Sequence, residues 1–241
     1  MPEWRLIDDI GVDRSGAEQM ARDVALLEEV AAGGLPALRL STWRGPTLSL
    51  GRFQPDDDVD AAACARLGVE VIRRPTGGRA LLHGADVTYA AVLPRPGGDA
   101  GTIDALYGLL AGALMAGLAR LGVAATVGEG RGPAGPACFA AAQGADLRVG
   151  ERKLCGSAQV HRAGAVLQHG SVLCGRFPFD ETDLLAYPDA AARARAQHAL
   201  ASRTVTLEDL GAPADVPTVA QALVVGFRQT LDLRWRSTVP L

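Results

Sequence analysis

The sequence predicts an α+β fold with a mostly antiparallel sheet. Helix-like and strand-like segments follow one another without the regular βαβ repeat that builds a parallel sheet. With 48% hydrophobic and 21% charged residues, the 241-residue chain has the composition of a globular protein rather than of a disordered or coiled-coil one. No internal repeat and no long linker divides the sequence, so we expect a single domain over residues 1–241.

The N-terminal part contains the patterns of two helices and four strands. Apolar residues at helical spacing predict an amphipathic helix over residues 16–32, and aspartates at a helix start predict a second one over 55–68. Alternating or continuous apolar runs predict the strands. These are residues 36–43, 47–54, 69–74 and 86–94.

The longest apolar run, residues 105–119, predicts a buried helix. It lies between Asp104 and Arg120 and is shorter than the roughly 20 apolar residues that a membrane span needs, so we expect no membrane segment. Gly108 and Gly112 lie on one face of this helix, where they would let another element approach closely.

A loop rich in Gly and Pro follows at residues 128–135. A turn at 150–153 joins two predicted strands, and 164–174 is a further strand. From about residue 176 the chain is polar and helical in character. We therefore expect a motif-bearing core over about 36–175 and a helical C-terminal part over about 176–241.

The charge and the cysteines exclude several functional classes. A net charge of −3 and a pI near 5.8 argue against phosphate-driven nucleic-acid binding and against a polybasic membrane anchor. The start of the chain is acidic where a signal peptide is basic and apolar, and the four cysteines show no CxxC spacing. We expect a cytoplasmic protein with reduced thiols and, because no His/Cys cluster has ligand spacing, no metal site.

Residues 73–79, Arg-Arg-Pro-Thr-Gly-Gly-Arg, place arginines and a glycine pair at the end of a predicted strand. Such glycines let backbone N–H groups approach an anionic or carbonyl ligand, while the arginines add positive charge. The spacing is neither that of a P-loop nor that of a GxGxxG dinucleotide motif. A β-turn with exposed arginines is the alternative, and His83, which follows on a short apolar stretch, is more often structural than catalytic in such a setting.

The second notable stretch surrounds Lys153, the single lysine among 24 basic residues. Because arginine is used everywhere else, this position favours a compact ammonium group. The small residues Gly156, Ser157 and Ala158 follow it and could leave room for a ligand. Cys138 precedes it, and an ammonium beside this thiol would favour the nucleophilic thiolate. Free cysteines are otherwise small buried hydrophobes, and this is the expectation for the other three, Cys64, Cys155 and Cys174.

Three stretches together resemble the biotin/lipoate protein ligase superfamily. Residues 73–83 match Arg-Arg-x-Thr-Gly-Gly-x-x-x-x-His, 150–159 look like its Gly-x-Lys-x-x-Gly-Ser-Ala-Gln segment, and 49–54 look like its Ser-Leu-Gly-x-x-Gln element. The resemblance covers about residues 36–175 and continues weakly over 202–227. It implies the catalytic-domain fold of that superfamily, with mixed, mostly antiparallel sheets flanked by helices. It also implies an acyl group in a tunnel beside the Arg-Gly-Gly loop, with the lysine at its carbonyl end.

Within the superfamily, the residues resemble the lipoate-ligase-like octanoyltransferases more than the ATP-dependent lipoate ligases. Arg79 stands where ligases typically have a third glycine, and Cys138 matches the position of the transferase nucleophile. Ala145-Asp146 lacks the Asn of the ligases' Asn-Asp pair, and little chain remains for a ligase accessory domain. Gly84, in place of a frequent acidic residue, counts the other way.

The resemblance also implies roles for the site residues. Cys138 and Lys153 are the expected catalytic residues. The expected substrate-binding residues are Arg74, Thr76, Gly77, Gly78, Arg79, His83, Gly156, Ser157, Ala158, His169 and Gly170. The implied donor is octanoyl-acyl carrier protein. The implied acceptors are lipoyl-domain proteins (the glycine cleavage H protein and E2 subunits of 2-oxoacid dehydrogenases). We expect a monomer without a metal or other cofactor.

Three alternatives stay open. A lipoate ligase or a stand-alone adenylating subunit would need ATP and Mg²⁺, with Lys153 facing the adenylate. An amidotransferase that moves octanoate or lipoate between protein domains would share the cysteine chemistry. A non-catalytic acyl-chain binding protein would tolerate the loss of Cys138.

Overall fold

The computed structural model describes residues 1–128, 137 and 146–237, and its larger sheet has eight strands. Numbered in chain order, these are β1 (Glu3–Asp9), β2 (Ala37–Ser41), β6 (Asp86–Pro94), β7 (Thr126–Val127), β8 (Leu147–Val149), β9 (Arg152–Arg162), β10 (Ala165–Leu173) and β11 (Arg234–Ser237). Their spatial order is β11-β1-β2-β6-β10-β9-β8-β7. Strand β1 is parallel to β2 and β11, whereas the other five pairings are antiparallel. The prediction of a mostly antiparallel sheet is confirmed.

The smaller sheet contains β3 (Thr47–Leu50), β4 (Glu70–Arg73) and β5 (Leu81–His83), in the order β4-β3-β5. The arginine-glycine loop leaves β4 and returns as β5. Backbone hydrogen bonds hold this loop beside the chain that follows β3, from Arg74 N to the Leu50 carbonyl (3.0 Å) and from Arg52 N to the Thr76 carbonyl (2.8 Å). The small sheet therefore presents this loop to the large sheet.

Five helices lie in the described part of the chain: α1 (Gly16–Ala31), α2 (Ala61–Leu67), α3 (Ile103–Arg120), α4 (Ala190–Arg203) and α5 (Val216–Thr230). Helix α1 starts with a capping box, in which Ser15 and Glu18 bond each other's backbone N–H groups. It packs on one face of the large sheet, where Leu26, Leu27 and Val30 join a small apolar cluster. Helices α3 and α5 cover the opposite face and enclose the main core, which includes Tyr89 and Phe227.

Close packing of α3 and α5 depends on glycines other than those expected. A side-chain Cβ on Gly226 would overlap the backbone of Gly117, whereas one on Gly108 would meet no atom within 4 Å. The expectation for Gly108 was therefore wrong. Helix α3 is the one helix in the described ranges that is long and apolar enough to cross a membrane, by length and composition only, and 39% of it is buried inside this fold.

The elements differ from the prediction mainly at the chain ends. Neither β1 nor β11 was predicted, because their pairing joins residues more than two hundred positions apart and leaves little local signal. The helix expected over 55–68 is interrupted: Asp56–Asp58 form a single 3₁₀ turn, and Asp60 then caps α2. The C-terminal part contains α4 and α5, as expected, and its last described element is the strand β11.

Candidate active site

A narrow cavity of about 40 Å³ lies on the face of the large sheet that α1 covers. Its floor consists of small residues of β9 and β10, and its apolar walls are Met20, Trp43 and Leu81. Eight of the predicted site residues line it. They are Arg74, Gly78, His83, Gly156, Ser157, Ala158, His169 and Gly170. The structure thus brings both sequence motifs to one place.

Arg74 holds the arginine-glycine loop in shape. Its buried guanidinium donates to the carbonyl oxygens of Gly77 (2.9 Å), Arg79 (2.7 Å) and Ser49 (2.9 Å). Gly78 has a φ of +98°, and a Cβ there would lie 2.6 Å from the Arg74 guanidinium, so this position favours glycine. These bonds orient the loop, and substrate contact by Arg74 remains a prediction.

The other predicted residues of this loop lie off the cavity wall. Thr76 is buried and reaches the site through the side chain of His169. Gly77 has open space around its Cα. The Arg79 side chain is 39% exposed and lies 3.8 Å from the Asp58 carboxylate. Their contact with substrate also remains a prediction.

His169 belongs to a buried hydrogen-bonded chain. Its Nδ1 lies 3.0 Å from Asp23 Oδ2, and its Nε2 lies 2.7 Å from Thr76 Oγ1. Because a carboxylate can only accept, Nδ1 donates to Asp23, and Nε2 shares the second hydrogen bond with the Thr76 hydroxyl. The second oxygen of Asp23 accepts from Arg39 Nη1 (2.8 Å), and Arg39 Nε donates to Asp9 (2.6 Å). Helix α1, strand β10 and the arginine-glycine loop are thereby joined through buried hydrogen bonds.

His83 is fixed by a second network. Its ring stacks on Trp43 with centroids 4.1 Å apart. Nδ1 lies 3.1 Å from Asp86 Oδ2, and Nε2 lies 2.8 Å from Ser49 Oγ. Burial acts to raise the pKa of Asp86, but the charge and hydrogen bond of His83, with the hydroxyl of Ser171, hold that pKa below its ordinary value.

The Lys153 side chain lies on the face of the large sheet that carries the cavity, because the pairing of β8 with β9 is irregular. Leu147 pairs with Cys155, whereas the next residue of β8, Arg148, pairs with Lys153. Strand β9 therefore has one extra residue here, Leu154, and this bulge places Lys153 and Cys155 on opposite faces of the sheet. Cys155 lies in the main core, so Lys153 emerges on the face that carries the cavity.

The ammonium group of Lys153 is buried beside a carboxylate. Lys153 is 3% exposed and Asp146 is 1% exposed, and Nζ lies 2.9 Å from Asp146 Oδ2. An unpaired ammonium would be very unfavourable in this position, and Asp146 compensates its charge. The pair supplies a localised donor next to the small residues of β9.

The described cysteines are buried and poorly suited to nucleophilic attack. Burial raises the pKa of Cys155 and of Cys174 to about 12, and it also raises the pKa of Cys64. The expectation that these three are packing residues is supported by this burial. Cys138 lies outside the described residues. No group of three or more potential metal ligands occurs within the described ranges.

A model of the lipoyl protein ligase A/B catalytic domain matches residues 15–228. The chain belongs to this family. The match includes both cavity motifs and Lys153, so the resemblance drawn from the sequence is confirmed.

Curated relatives of this family member include several octanoyltransferases. Octanoyltransferase LipM of Carboxydothermus hydrogenoformans is 44% identical over 72% of this chain and 65% of its own length. Octanoyltransferase LipM of Kyrpidia tusciae is 37% identical over 97% of this chain and 89% of its own length. The enzyme of the same name from Exiguobacterium sibiricum is 35% identical over the same shares.

Solved structures show the same fold. A chain of the lipoylation system of Thermoplasma acidophilum, a bi-partite lipoate protein ligase and its E2 lipoyl domain, has a TM-score of 0.81 and 25% identity over 100% of this chain and 88% of that one. Lipoate-protein ligase A bound with ATP has a TM-score of 0.76 and 24% identity over 100% of this chain and 89% of that one. The catalytic-domain fold implied by the sequence is confirmed.

Sequence reasoning assigned no role to Asp23, Asp86 or Ser49, and it noted Asp146 only as a partial match. Each has a weak local signal. Asp23 interrupts the apolar face of α1, and Asp86 follows His83 by three residues, at the start of β6. Neither signal shows which histidine or arginine each carboxylate meets, because those partners come from other elements.

The side chain of Ser157, the serine of the Gly-Ser-Ala run, is hydrogen-bonded inside the protein. The Ser157 hydroxyl lies 2.7 Å from the hydroxyl of Tyr89, which also accepts from Gln168 Nε2 (2.7 Å). These bonds lie on the core face of the sheet. Ser157 therefore uses its side chain to satisfy a buried tyrosine, and its contribution to substrate binding remains a prediction.

Proposed function

We propose that the protein moves octanoate from octanoyl-acyl carrier protein, through a thioester on Cys138, to a lysine of a lipoyl-domain protein. It is an octanoyltransferase of lipoate biosynthesis, and relatives at 30–44% identity over most of the chain are octanoyltransferases. Lipoyl-domain proteins are its acceptors. This proposal includes the acyl carrier protein as the donor and the glycine cleavage H protein or E2 subunits as the acceptors. It also includes a monomeric state and a cytoplasmic location.

The observation that carries the proposal is the state of the other thiols. A thioester route needs a cysteine that ionises near neutral pH. Cys155 and Cys174 have a pKa raised to about 12, and Cys64 is buried with a raised pKa. Cys138 is the fourth cysteine, and its match to the position of the transferase nucleophile makes it the proposed one.

In the first step, the Cys138 thiolate attacks the carbonyl carbon of the octanoyl thioester. The carbonyl electrons move to oxygen and then return as the carrier thiolate leaves, so one thioester replaces another and no ATP is consumed. Lys153 stabilises the oxyanion and the attacking thiolate by its charge. Asp146, 2.9 Å from Nζ, fixes the direction of that ammonium group.

In the second step, the neutral amine of the acceptor lysine attacks the octanoyl-Cys138 carbonyl. The C–S bond breaks, the thiolate of Cys138 is regenerated, and the amine loses one proton to water. An amide is more stable than a thioester, so this step draws the transfer forward. The narrow cavity, lined by Gly156, Ser157 and Ala158 of the Lys153 strand, provides an apolar environment for the start of the acyl chain.

The test is the intact mass of the protein after mixing with octanoyl-acyl carrier protein without ATP. Wild type should gain roughly 126 Da, the mass of one octanoyl group, and hydroxylamine should remove it. Cys138→Ala should gain nothing. Cys64→Ala is the matched control, since that thiol is buried on α2 and does not line the cavity, and the variant should acylate like wild type.

Other results would identify the alternatives. Acylation of Cys138→Ala would refute the thioester route. If wild type gained no mass but transferred free lipoate to a lipoyl domain with ATP and Mg²⁺, the protein would be a ligase. Acylation from an octanoylated protein domain but not from the carrier protein would make it an amidotransferase.

A further inference from the structure

A second cavity lies next to the Lys153 strand, and the steps described above do not use it. It has a volume of about 430 Å³, which is within the range of about 300–1,000 Å³ typical of ligand pockets. Its walls come from β5, the end of β10, residues 175–183 and helix α4. Leu82, Leu173 and Leu200 form its apolar part, and Glu181 and Thr204 contribute polar groups. We call it the donor cavity.

Thr204 presents an unsatisfied hydroxyl in this cavity. The residue is only 4% exposed, and among the described residues its Oγ1 has no hydrogen-bond partner. Its backbone carbonyl, in contrast, accepts from Arg176 (3.3 Å). Buried hydroxyls in folded proteins are nearly always hydrogen-bonded, so this one calls for a partner that enters the cavity.

Backbone pairing places Thr204 beside Lys153. The two residues are partners in a parallel bridge, and Val205 N donates to the Lys153 carbonyl (3.0 Å). Directly opposed residues of paired strands point to the same face, with Cβ atoms about 5 Å apart. The side chains of Thr204 and Lys153 therefore start next to each other on one face of the sheet.

The two cavities lie end to end on this face of the sheet. Ser171 lines the narrow cavity, and Leu173, two residues further along β10 and on the same face, lines the donor cavity. Leu81, Leu173 and Leu200 form a small cluster between them. Lys153 lines neither cavity, but its bridge partner Thr204 lines the donor cavity, and Ser171 and Leu173 mark where the two cavities follow each other along β10.

We propose that the donor cavity binds the pantetheine arm of the acyl donor while the octanoyl chain enters the narrow cavity. The assignment rests on the proposed function, because it requires a thioester donor. A thioester extends in two directions from its carbonyl, the acyl chain to one side and the thiol arm to the other. Two cavities that follow each other along β10, one of them lined by the bridge partner of Lys153, match that shape.

The walls of the donor cavity suit a chain that contains amides. A pantetheine arm carries two amide groups separated by short methylene stretches, so it needs dispersed polar partners between apolar surfaces. The Thr204 hydroxyl can donate to an amide carbonyl. Glu181 is 8% exposed and accepts from Leu82 N (3.3 Å). Burial raises the pKa of Glu181 to about 7, so near neutral pH part of the population carries a proton that an amide carbonyl can accept.

The experiment compares two donors that differ only in the arm, octanoyl-pantetheine and the octanoyl thioester of ethanethiol. The rate of octanoyl-Cys138 formation is measured for each and divided by its rate with free glutathione, which corrects for chemical reactivity. Wild type should prefer the pantetheine donor by at least tenfold. Thr204→Val keeps the shape of the side chain and removes the hydroxyl, and it should reduce this preference about 3- to 10-fold, the value of one hydrogen bond.

A cavity-filling pair of variants gives a second readout. Ala201 is exposed on α4 and lines the donor cavity, so Ala201→Trp should obstruct the arm and reduce the preference further. Ala194→Trp places the same side chain on an exposed position of the same helix outside the cavity lining. That control should behave like wild type. Circular dichroism and urea unfolding establish that each variant is folded.

The outcomes separate the two proposals. No acyl-enzyme from either donor would overturn the proposed function and this assignment together. Acyl-enzyme from both donors, with the same preference in wild type, Thr204→Val and Ala201→Trp, would overturn the assignment alone. A second result would also overturn the assignment alone. If ATP, but not pantetheine, competitively slowed acylation of wild type and Ala201→Trp abolished that inhibition, the donor cavity would hold a nucleotide.

Discussion

Replacing Glu181 with Gln tests whether burial controls a carboxyl group in the donor cavity. Glu181 is 8% exposed, and burial is the largest effect on its pKa, which rises from 4.5 to about 7. The neighbouring charges are Asp180, which raises this pKa, and Arg176, which lowers it; helix α4 adds Arg193, paired with Asp183. Gln preserves the shape and the acceptor for Leu82 N but cannot ionise.

The size and sign of the effect follow from the pKa difference. At a pH below the pKa of Glu181 in the unfolded chain, this group is protonated in both the folded and the unfolded state, and it takes nothing from the stability of the fold. As the pH rises from about 4.5 through about 7, the unfolded state ionises first, so the folded state loses stability. At about 1.4 kcal/mol per pKa unit, the loss is about 3 kcal/mol, and above the folded pKa the stability changes no further through this group.

The assay is urea unfolding at several pH values between about 5 and 8.5, in wild type and Glu181→Gln. We expect the free energy of unfolding of the variant to exceed that of wild type by an amount that grows over this range to about 3 kcal/mol. Glu151→Gln, at an exposed turn between β8 and β9, is the matched control for the substitution itself. A difference between wild type and Glu181→Gln that stays constant with pH would refute the reasoning.

Three further predictions concern the site. Gly170→Ala should lower the free energy of unfolding in urea by about 1–3 kcal/mol or more, since a Cβ would overlap the Gly156 carbonyl and lie 2.8 Å from Tyr89. An unchanged urea midpoint of unfolding would contradict this contact. Asp23→Asn should lower the free energy of unfolding in urea by about 3–5 kcal/mol, because it leaves buried Arg39 with less compensating charge. Asp13→Asn, at an exposed position, is the control. Equal losses of stability in the two variants would argue against the buried network. Lys153→Arg should slow formation of the acyl-enzyme by about 100-fold, because a planar guanidinium does not replace a compact ammonium; near-normal turnover would remove Lys153 from the mechanism.

Much of the fold and of the site could be predicted from local sequence. Continuous apolar runs predicted the central strands β6 and β10, and an uninterrupted apolar stretch predicted α3. The arginine-glycine loop and the Lys153 segment were identified as site elements because both match motifs of the biotin/lipoate protein ligase superfamily. Eight of the predicted residues do line one cavity.

The tertiary structure decided how these elements meet. The side-chain direction of Lys153 depends on a bulge at Leu154, and a strand pattern of period two would place Lys153 on the same face as Cys155, in the core. The partners of His83 and His169 are carboxylates from β6 and α1, brought near by sheet pairing and helix packing.

The donor cavity also results from tertiary packing. It forms where α4 and the end of β10 pack beside the small sheet, and the bridge between Lys153 and Thr204 joins residues 51 positions apart. Local propensity determines which residues form strands, but contacts of this separation depend on how the whole chain packs. The sequence by itself therefore determined the family, the motifs and the candidate residues, whereas the faces, the ion pairs and the second cavity were decided by long-range packing.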